Sequence, residues 1–261
     1  MEKPRTRFEF PEDLLNHLGI ESPDQIDLEA IAYYCGAKVD FAKLTTCAAR
    51  IVGIGDRSII TVNSQDKPYR QRFSIGHELG HWMHDRGTIG LSCTAATLRQ
   101  DWSGDGKEAR ANRFSAGLLM PKSMFQSRIG SRPLDFRIVD KLHQEFGTSM
   151  TATAIRAVEL TDTAAMLVFN GKRTRQWCKR STKVPFDVSP LWDLHQEAFA
   201  FDILFGAAPS MYQARKIAAD KWLKHPAARM FDIHEHTIKV PEGVLTLLSW
   251  DDIRLTEALF R

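Results

Sequence analysis

Apolar residues recur every three or four positions in several separate stretches of the chain and alternate with polar ones in others. Residues 11–19 place Pro11 in a first turn, follow it with the apolar pair Leu14-Leu15, and stop at Gly19, which predicts a short helix. Residues 27–34 repeat the pattern, with Leu28, Ile31 and Ala32 on one side and Gly36 as the stop. Two apolar runs, 48–54 and 58–62, flank Gly55-Asp56-Arg57 and predict a strand–turn–strand pair. Pro68 then opens a long helix in which Phe73, Gly76, His77, Gly80, His81 and His84 fall at three- and four-residue spacings, with Gly87 ending it. A loop rich in Gly, Ser and Thr covers 87–106. The next helix begins at Gly106 with Asp105 as its cap and runs to Met120, where Pro121 stops it.

The pattern changes in the second half. Residues 134–160 predict two short helices around Phe146-Gly147-Thr148-Ser149. Residues 165–169 and 173–179, joined at Asn170-Gly171, predict a hairpin, because Asn-Gly suits the φ > 0 turn that matches strand twist. Residues 191–205 and 209–223 read as helices and 244–250 as a strand. The fold class is α+β, in three segments: 1–125 around the histidine helix, a helical connector at 126–161, and a C-terminal α+β region at 162–261.

Composition narrows this picture little. At 261 residues the chain accommodates one large domain or two to three small ones. A hydrophobic content of 43% and a charged content of 26% are ordinary for a globular protein. A net charge of +3 neither demands nor excludes nucleic acid. Cys35, Cys47, Cys93 and Cys178 lie far apart without a CxxC pair, so they read as reduced structural thiols. The basic N-terminus lacks a following apolar stretch, and no apolar run approaches the roughly 20 residues that span a bilayer. The expected location is the cytoplasm, with no membrane partner.

The chemistry concentrates in His77-Glu78-Leu79-Gly80-His81. Two histidines four apart share a helix face at about 6 Å between Cβ atoms, which suits two ligands of one divalent ion. Glu78 projects beside them, where it can take a proton from an activated water and deliver it to a leaving amine. Gly80 costs a helix about 1 kcal/mol against alanine, which suggests that something packs closely there. The bland alternative is an amphipathic helix with two surface histidines. A third ligand is needed, and His84 lies about 10.5 Å along the axis from His77, too far to share an ion held at ~2 Å. The run His234-Glu235-His236, with Lys239 and Pro241 close by, reads as a solvated surface. Glu108 and Asn112 share the polar face of the helix that follows, so Glu108 can complete the site with Asn112 in support. A solvated glutamate favoured by the helix dipole accounts for Glu108 equally well.

These residues resemble the ImmA/IrrE family of metallo-endopeptidases. Its members combine RFxxxHELGH with ExxANxFAxxLLMP, which stand here as Arg72 to His81 and Glu108 to Pro121, separated by 108 − 81 = 27 residues. Ser115 replaces the usual alanine of the second motif. The resemblance spans about residues 25–125 and weakens beyond. It implies a gluzincin-like fold of helices with a small β-sheet, His77, His81 and Glu108 as ligands of Zn2+ (or Mn2+), and Glu78 as general base. It also implies a protein substrate: a helix-turn-helix transcriptional repressor, whose cleavage relieves repression of stress-response or mobile-element genes. Longer members carry a helix-turn-helix-like middle and a GAF-like C-terminal domain, in the same order as the segments here.

A second reading is a non-catalytic regulator that binds DNA or a partner protein through residues 134–183. Its support is thin: the second of the two connector helices offers Thr151, Thr153, Arg156 and Glu159, a single cation for a groove. The basic hairpin, with Lys172, Arg173, Arg175, Lys179, Arg180 and Lys183, is more often a solvated face.

Overall fold

The computed structural model describes residues 8, 10–85, 92–93, 106–172, 174–206, 208 and 213–260. Two compact units emerge, one formed by Met1–Met124 with Gln144–Ser149 and the other by Phe125–His143 with Met150–Arg261. The class is α+β.

In the first unit, α1 (Pro11–His17) and α2 (Leu28–Tyr34) precede β1 (Ala37–Ala42), β2 (Ala49–Ile54) and β3 (Arg57–Asn63). The long helix α3 (Pro68–Asp85), the two-residue strand β4 (Ser92–Cys93) and α4 (Lys107–Leu119) follow. Asp27 caps α2, its side chain accepting from the amides of Glu29 and Ala30. The sheet order is β1-β3-β2-β4, with β1 parallel to β3 and the other pairs antiparallel. Ile51, Ile60 and Val62 turn inward beneath α3, whose Leu79 and Trp82 are buried. Each such side chain contributes roughly 1.5–3 kcal/mol by leaving water. Trp82 also donates its indole N–H to the Cys35 carbonyl at 2.8 Å, tying α3 to the end of α2.

The strand–turn–strand pair forms as expected in β2 and β3. The pattern 37–42 was not read as a strand, although Lys38 and Asp40 alternate with Ala37, Val39 and Phe41. Gly106, without a side-chain cap, precedes α4; Asp105 and the proposed stop Gly87 lie outside the described residues.

The chain continues through α5 (Lys122–Ile129), absent from the sequence reading, into α6 (Phe136–Phe146) and α7 (Met150–Leu160), the expected helix pair. The second unit's sheet comprises β5 (Ala164–Asn170), β6 (Arg175–Arg180), β7 (Arg215–Ala218), β8 (Asp232–Val240) and β9 (Gly243–Trp250) in the antiparallel order β6-β5-β9-β8-β7. α8 (Phe199–Phe205) lies between β6 and β7 in the chain, and α9 (Ile253–Leu259) follows β9. β9 is buried at all its positions, so both faces of the sheet are covered. One face packs Met166, Val168, Val244 and Leu248 with Ile203 of α8 and Leu255 of α9.

Three expectations fail here for identifiable reasons. Of 191–205 only Phe199–Phe205 is helical, because the amide of Leu191 bonds to the Trp222 carbonyl and Thr174 bridges Asp193. Of 209–223, the segment Arg215–Ala218 pairs as an edge strand with β8 and Ala219–Lys221 is a 3-10 turn; 209–212 lie outside the described residues. The Asn170-Gly171 pair does not form the φ > 0 turn: Asn170 stays in β5 after a register shift, and Gly171 closes a longer turn by donating to the Thr174 carbonyl.

Candidate metal centre

α3 and α4 pack antiparallel, and two glycines set their separation. A Cβ on Gly80 would lie 3.0 Å from the Ala111 α-carbon and 3.1 Å from Phe114 Cβ, while one on Gly76 would lie 2.6 Å from Ser115 Oγ. The close packing expected at Gly80 is therefore present, with Ala111 and Phe114 as its cause. Ser115, the departure from the motif, is fully buried and donates to the Phe73 carbonyl at 2.9 Å, so its hydroxyl is satisfied inside the interface.

That approach brings the start of α4 against the end of α3. His77, His81 and Glu108 converge, with one ligand atom from each lying within 4.8 Å of the others. The two Nε2 atoms are 3.1 Å apart; Glu108 Oε2 lies 3.3 Å from that of His77 and Glu108 Oε1 3.3 Å from that of His81. His77 is wholly buried, His81 nearly so, and Glu108 is 31% exposed, leaving one side of the cluster open. Glu78, next to His77 on α3, is wholly buried. His84 stays out of the cluster and packs edge-on against Phe114 with ring centroids 5.5 Å apart.

The far side of each imidazole is also held. His77 Nδ1 lies 2.9 Å from Asn112 Oδ1, and His81 Nδ1 lies 3.2 Å from Asp85 Oδ2. Both partners offer an oxygen, and with the proton on Nδ1 each ring turns the Nε2 lone pair toward the cluster. Burial, and then the neighbouring His77, push the His81 pKa below its ordinary value, which favours the neutral ligating form. In that tautomer two nitrogen lone pairs and a carboxylate face one another. Such a donor set repels itself unless a cation sits among its members, and two imidazoles with one carboxylate and an open side match a metal site that retains room for a substrate. The residues present fit a divalent ion. Asn112, on the same face of α4 as Glu108, lies against His77.

Asp85 and Arg110 escaped the sequence reading. Arg110 donates to Asp85 Oδ1 at 2.8 Å, while Asp85 Oδ2 takes the His81 proton. The i,i+4 spacing of His81 and Asp85 was the available signal for half of this arrangement.

The other candidate segments are engaged within the second unit. Glu235 and His236 are buried in β8, not solvated: Glu235 accepts from the amides of Phe199 and Ala200, the Trp222 indole and the Thr237 hydroxyl. His236 Nδ1 accepts from the amide of Phe136 at 3.1 Å, at the start of α6. In α7, Arg156 is 18% exposed and pairs with Glu159. Arg180 donates to the carbonyls of Pro185, Phe186 and Val188, and Arg175 donates to that of Pro190 while lying over the Trp192 ring. These hairpin cations pin the following loop. Arg173 lies outside the described residues. Cys35, Cys47 and Cys178 carry thiols, not disulfides, and among the described residues no helix is long and apolar enough to cross a membrane.

His77, His81 and Glu108 form a group that could hold a metal ion, with the buried Glu78 next to His77 on α3. The sequence of residues 34–158 matches the model of the M78 peptidase family, described as the IrrE N-terminal-like domain. Among curated proteins none matches the chain. Among solved structures the chain is similar to a Mycobacterium tuberculosis transcriptional regulator, at 15% identity and a TM-score of 0.55. The alignment covers 95% of this chain and 76% of that one, and at such identity it speaks for the fold alone.

Proposed function

We propose that the protein is a cytoplasmic metal-dependent endopeptidase that cleaves a helix-turn-helix transcriptional repressor and so relieves repression of stress-response or mobile-element genes. The observation that carries this reading is the convergence of His77, His81 and Glu108 from two packed helices. These three residues would hold the ion, Zn2+ or Mn2+, with Asn112 orienting His77. When bound, the ion supplies Lewis acidity to the scissile carbonyl and to the attacking water. Glu78 takes the proton of that water and returns it to the leaving amine. The open side at Glu108 admits an extended segment of the substrate.

The domain assignment that accompanies this reading keeps a gluzincin-like peptidase segment at 1–125, a helix-turn-helix-like connector at 126–161 and a GAF-like region at 162–261. The transcriptional regulator that resembles the chain in fold is compatible with a role in gene control. Direct DNA binding through 134–183 has less support, since Arg156, Arg175 and Arg180 are engaged within their own unit.

The test is to mix the purified protein and Zn2+ or Mn2+ with the small helix-turn-helix protein encoded by a neighbouring gene. Mass spectrometry should find one cleavage, lost on Glu78→Gln. An intact repressor would remove the substrate assignment; equal cleavage by the variant would remove Glu78 from the chemistry.

A further inference from the structure

We propose that Asp85 and Arg110 are a positioning pair that fixes the tautomer of His81 and thereby sets the affinity of the site for a divalent cation. This rests on the reading of His77, His81 and Glu108 as metal ligands.

Asp85 stands one helical turn beyond His81 on the same face of α3, and its side chain is only 8% exposed. A carboxylate so placed needs compensation, because a buried charge without a partner is costly. Arg110 provides it at 2.8 Å, from two residues beyond Glu108 on α4. The helix that delivers the carboxylate ligand therefore also delivers the group that orients Asp85. With one oxygen on Arg110 and the other on His81 Nδ1, the carboxylate admits one arrangement of the ring: proton on Nδ1, lone pair on Nε2, Nε2 aimed at His77 and Glu108.

The two histidines are held differently. His77 Nδ1 faces the amide oxygen of Asn112, whereas His81 Nδ1 faces a carboxylate oxygen of Asp85. A carboxylate behind a ligating imidazole raises its basicity and fixes its orientation, and losing such a partner typically weakens metal binding about 10–100-fold. Asp85 is accordingly the stronger of the two supports, and Arg110 acts through it. The competing account is an ordinary interhelical ion pair. Arg110 is 42% exposed, and a pair of that kind contributes little beyond fixing α3 to α4.

Two measurements separate these accounts. In the metal-free wild-type protein with 15N-labelled histidine, long-range 1H–15N correlation should show His81 protonated at Nδ1 and bare at Nε2. The opposite tautomer overturns the proposal whatever the variants do. Cobalt(II) titration followed by visible absorption should then show Asp85→Asn binding about 10–100-fold more weakly than wild type, Arg110→Met weakened less, and Arg110→Lys close to wild type. If Asp85→Asn and Arg110→Met bind cobalt as wild type does while only their melting temperatures fall, the pair is merely structural. If Asp85→Asn does not fold, the wild-type tautomer and the Arg110→Met to Arg110→Lys comparison decide. A wild-type protein that binds no cobalt removes the metal-site reading itself, a different result from a wild type that binds and variants that bind equally.

Discussion

The Nε2 atoms of His77 and His81 lie 3.1 Å apart, with Asn112 Oδ1 and Asp85 Oδ2 facing the two Nδ1 atoms. A divalent cation between them and Glu108 would join the three side chains. Metal should therefore stabilise the fold: an ion present at 100 times its Kd adds about 2.7 kcal/mol, which raises the melting midpoint of the first unit by roughly 10 °C. Differential scanning calorimetry with added Zn2+ and with chelator checks this. Coincident melting curves would count against a metal among these three residues.

Glu78→Gln should retain metal and fold while losing about 100- to 10,000-fold in cleavage rate, since the amide is nearly isosteric but cannot take up a proton. Glu78 is wholly buried on α3, so the conservative replacement is the informative one. Parallel metal titration and peptide-hydrolysis assays test it, and retained turnover would move the general base elsewhere.

Gly80→Ala sets two effects against each other. Alanine is favoured over glycine in a helix by about 1 kcal/mol. Its Cβ would stand 3.0 Å from the Ala111 α-carbon and 3.2 Å from the Ala111 carbonyl oxygen, backbone atoms that yield only if α4 moves. Overpacking of this kind costs typically 1–3 kcal/mol, so the net change is a destabilisation of about 1 kcal/mol. Because α4 carries Glu108, metal affinity should fall with it. Chemical denaturation and metal titration of the variant measure both, and a stabilised variant with unchanged affinity would show that α4 yields freely.

What the sequence discloses depends on how local the cause is. α3 and α4 were readable because three- and four-residue periodicity, Pro68, Pro121 and the helix-spaced histidines all act within a few turns. Gly80 announced a close neighbour without identifying it, since Ala111 and Phe114 sit on another helix. Residues 191–198 looked helical and are not, because the deciding hydrogen bonds come from Trp222 and Thr174. The same cause hid Glu235 and His236, two polar side chains whose burial depends on partners 36 and 100 residues earlier in the chain. Local pattern assigns such residues to the surface by default; only the sheet brings their donors to them.

Glu235 carries a prediction of its own. Burial raises its pKa above the ordinary 4.5 despite the indole, amide and hydroxyl donors that favour the ionised form. The folded protein therefore holds this proton more tightly than the unfolded chain does. Stability from Glu235 is fully present below about pH 4.5, its value when unfolded, and declines as pH rises from there through the raised folded value. Glu235→Gln, which does not titrate, should be less stable than wild type by about 1–3 kcal/mol in acid, because its NH2 faces donors where the acid offered oxygens. That gap should narrow toward neutral pH as wild type loses the contribution. Urea denaturation of both proteins between pH 4 and pH 7 measures the gap, with the range set by the ordinary glutamate value. A gap that widens with pH would mean that the four donors outweigh burial and hold Glu235 ionised.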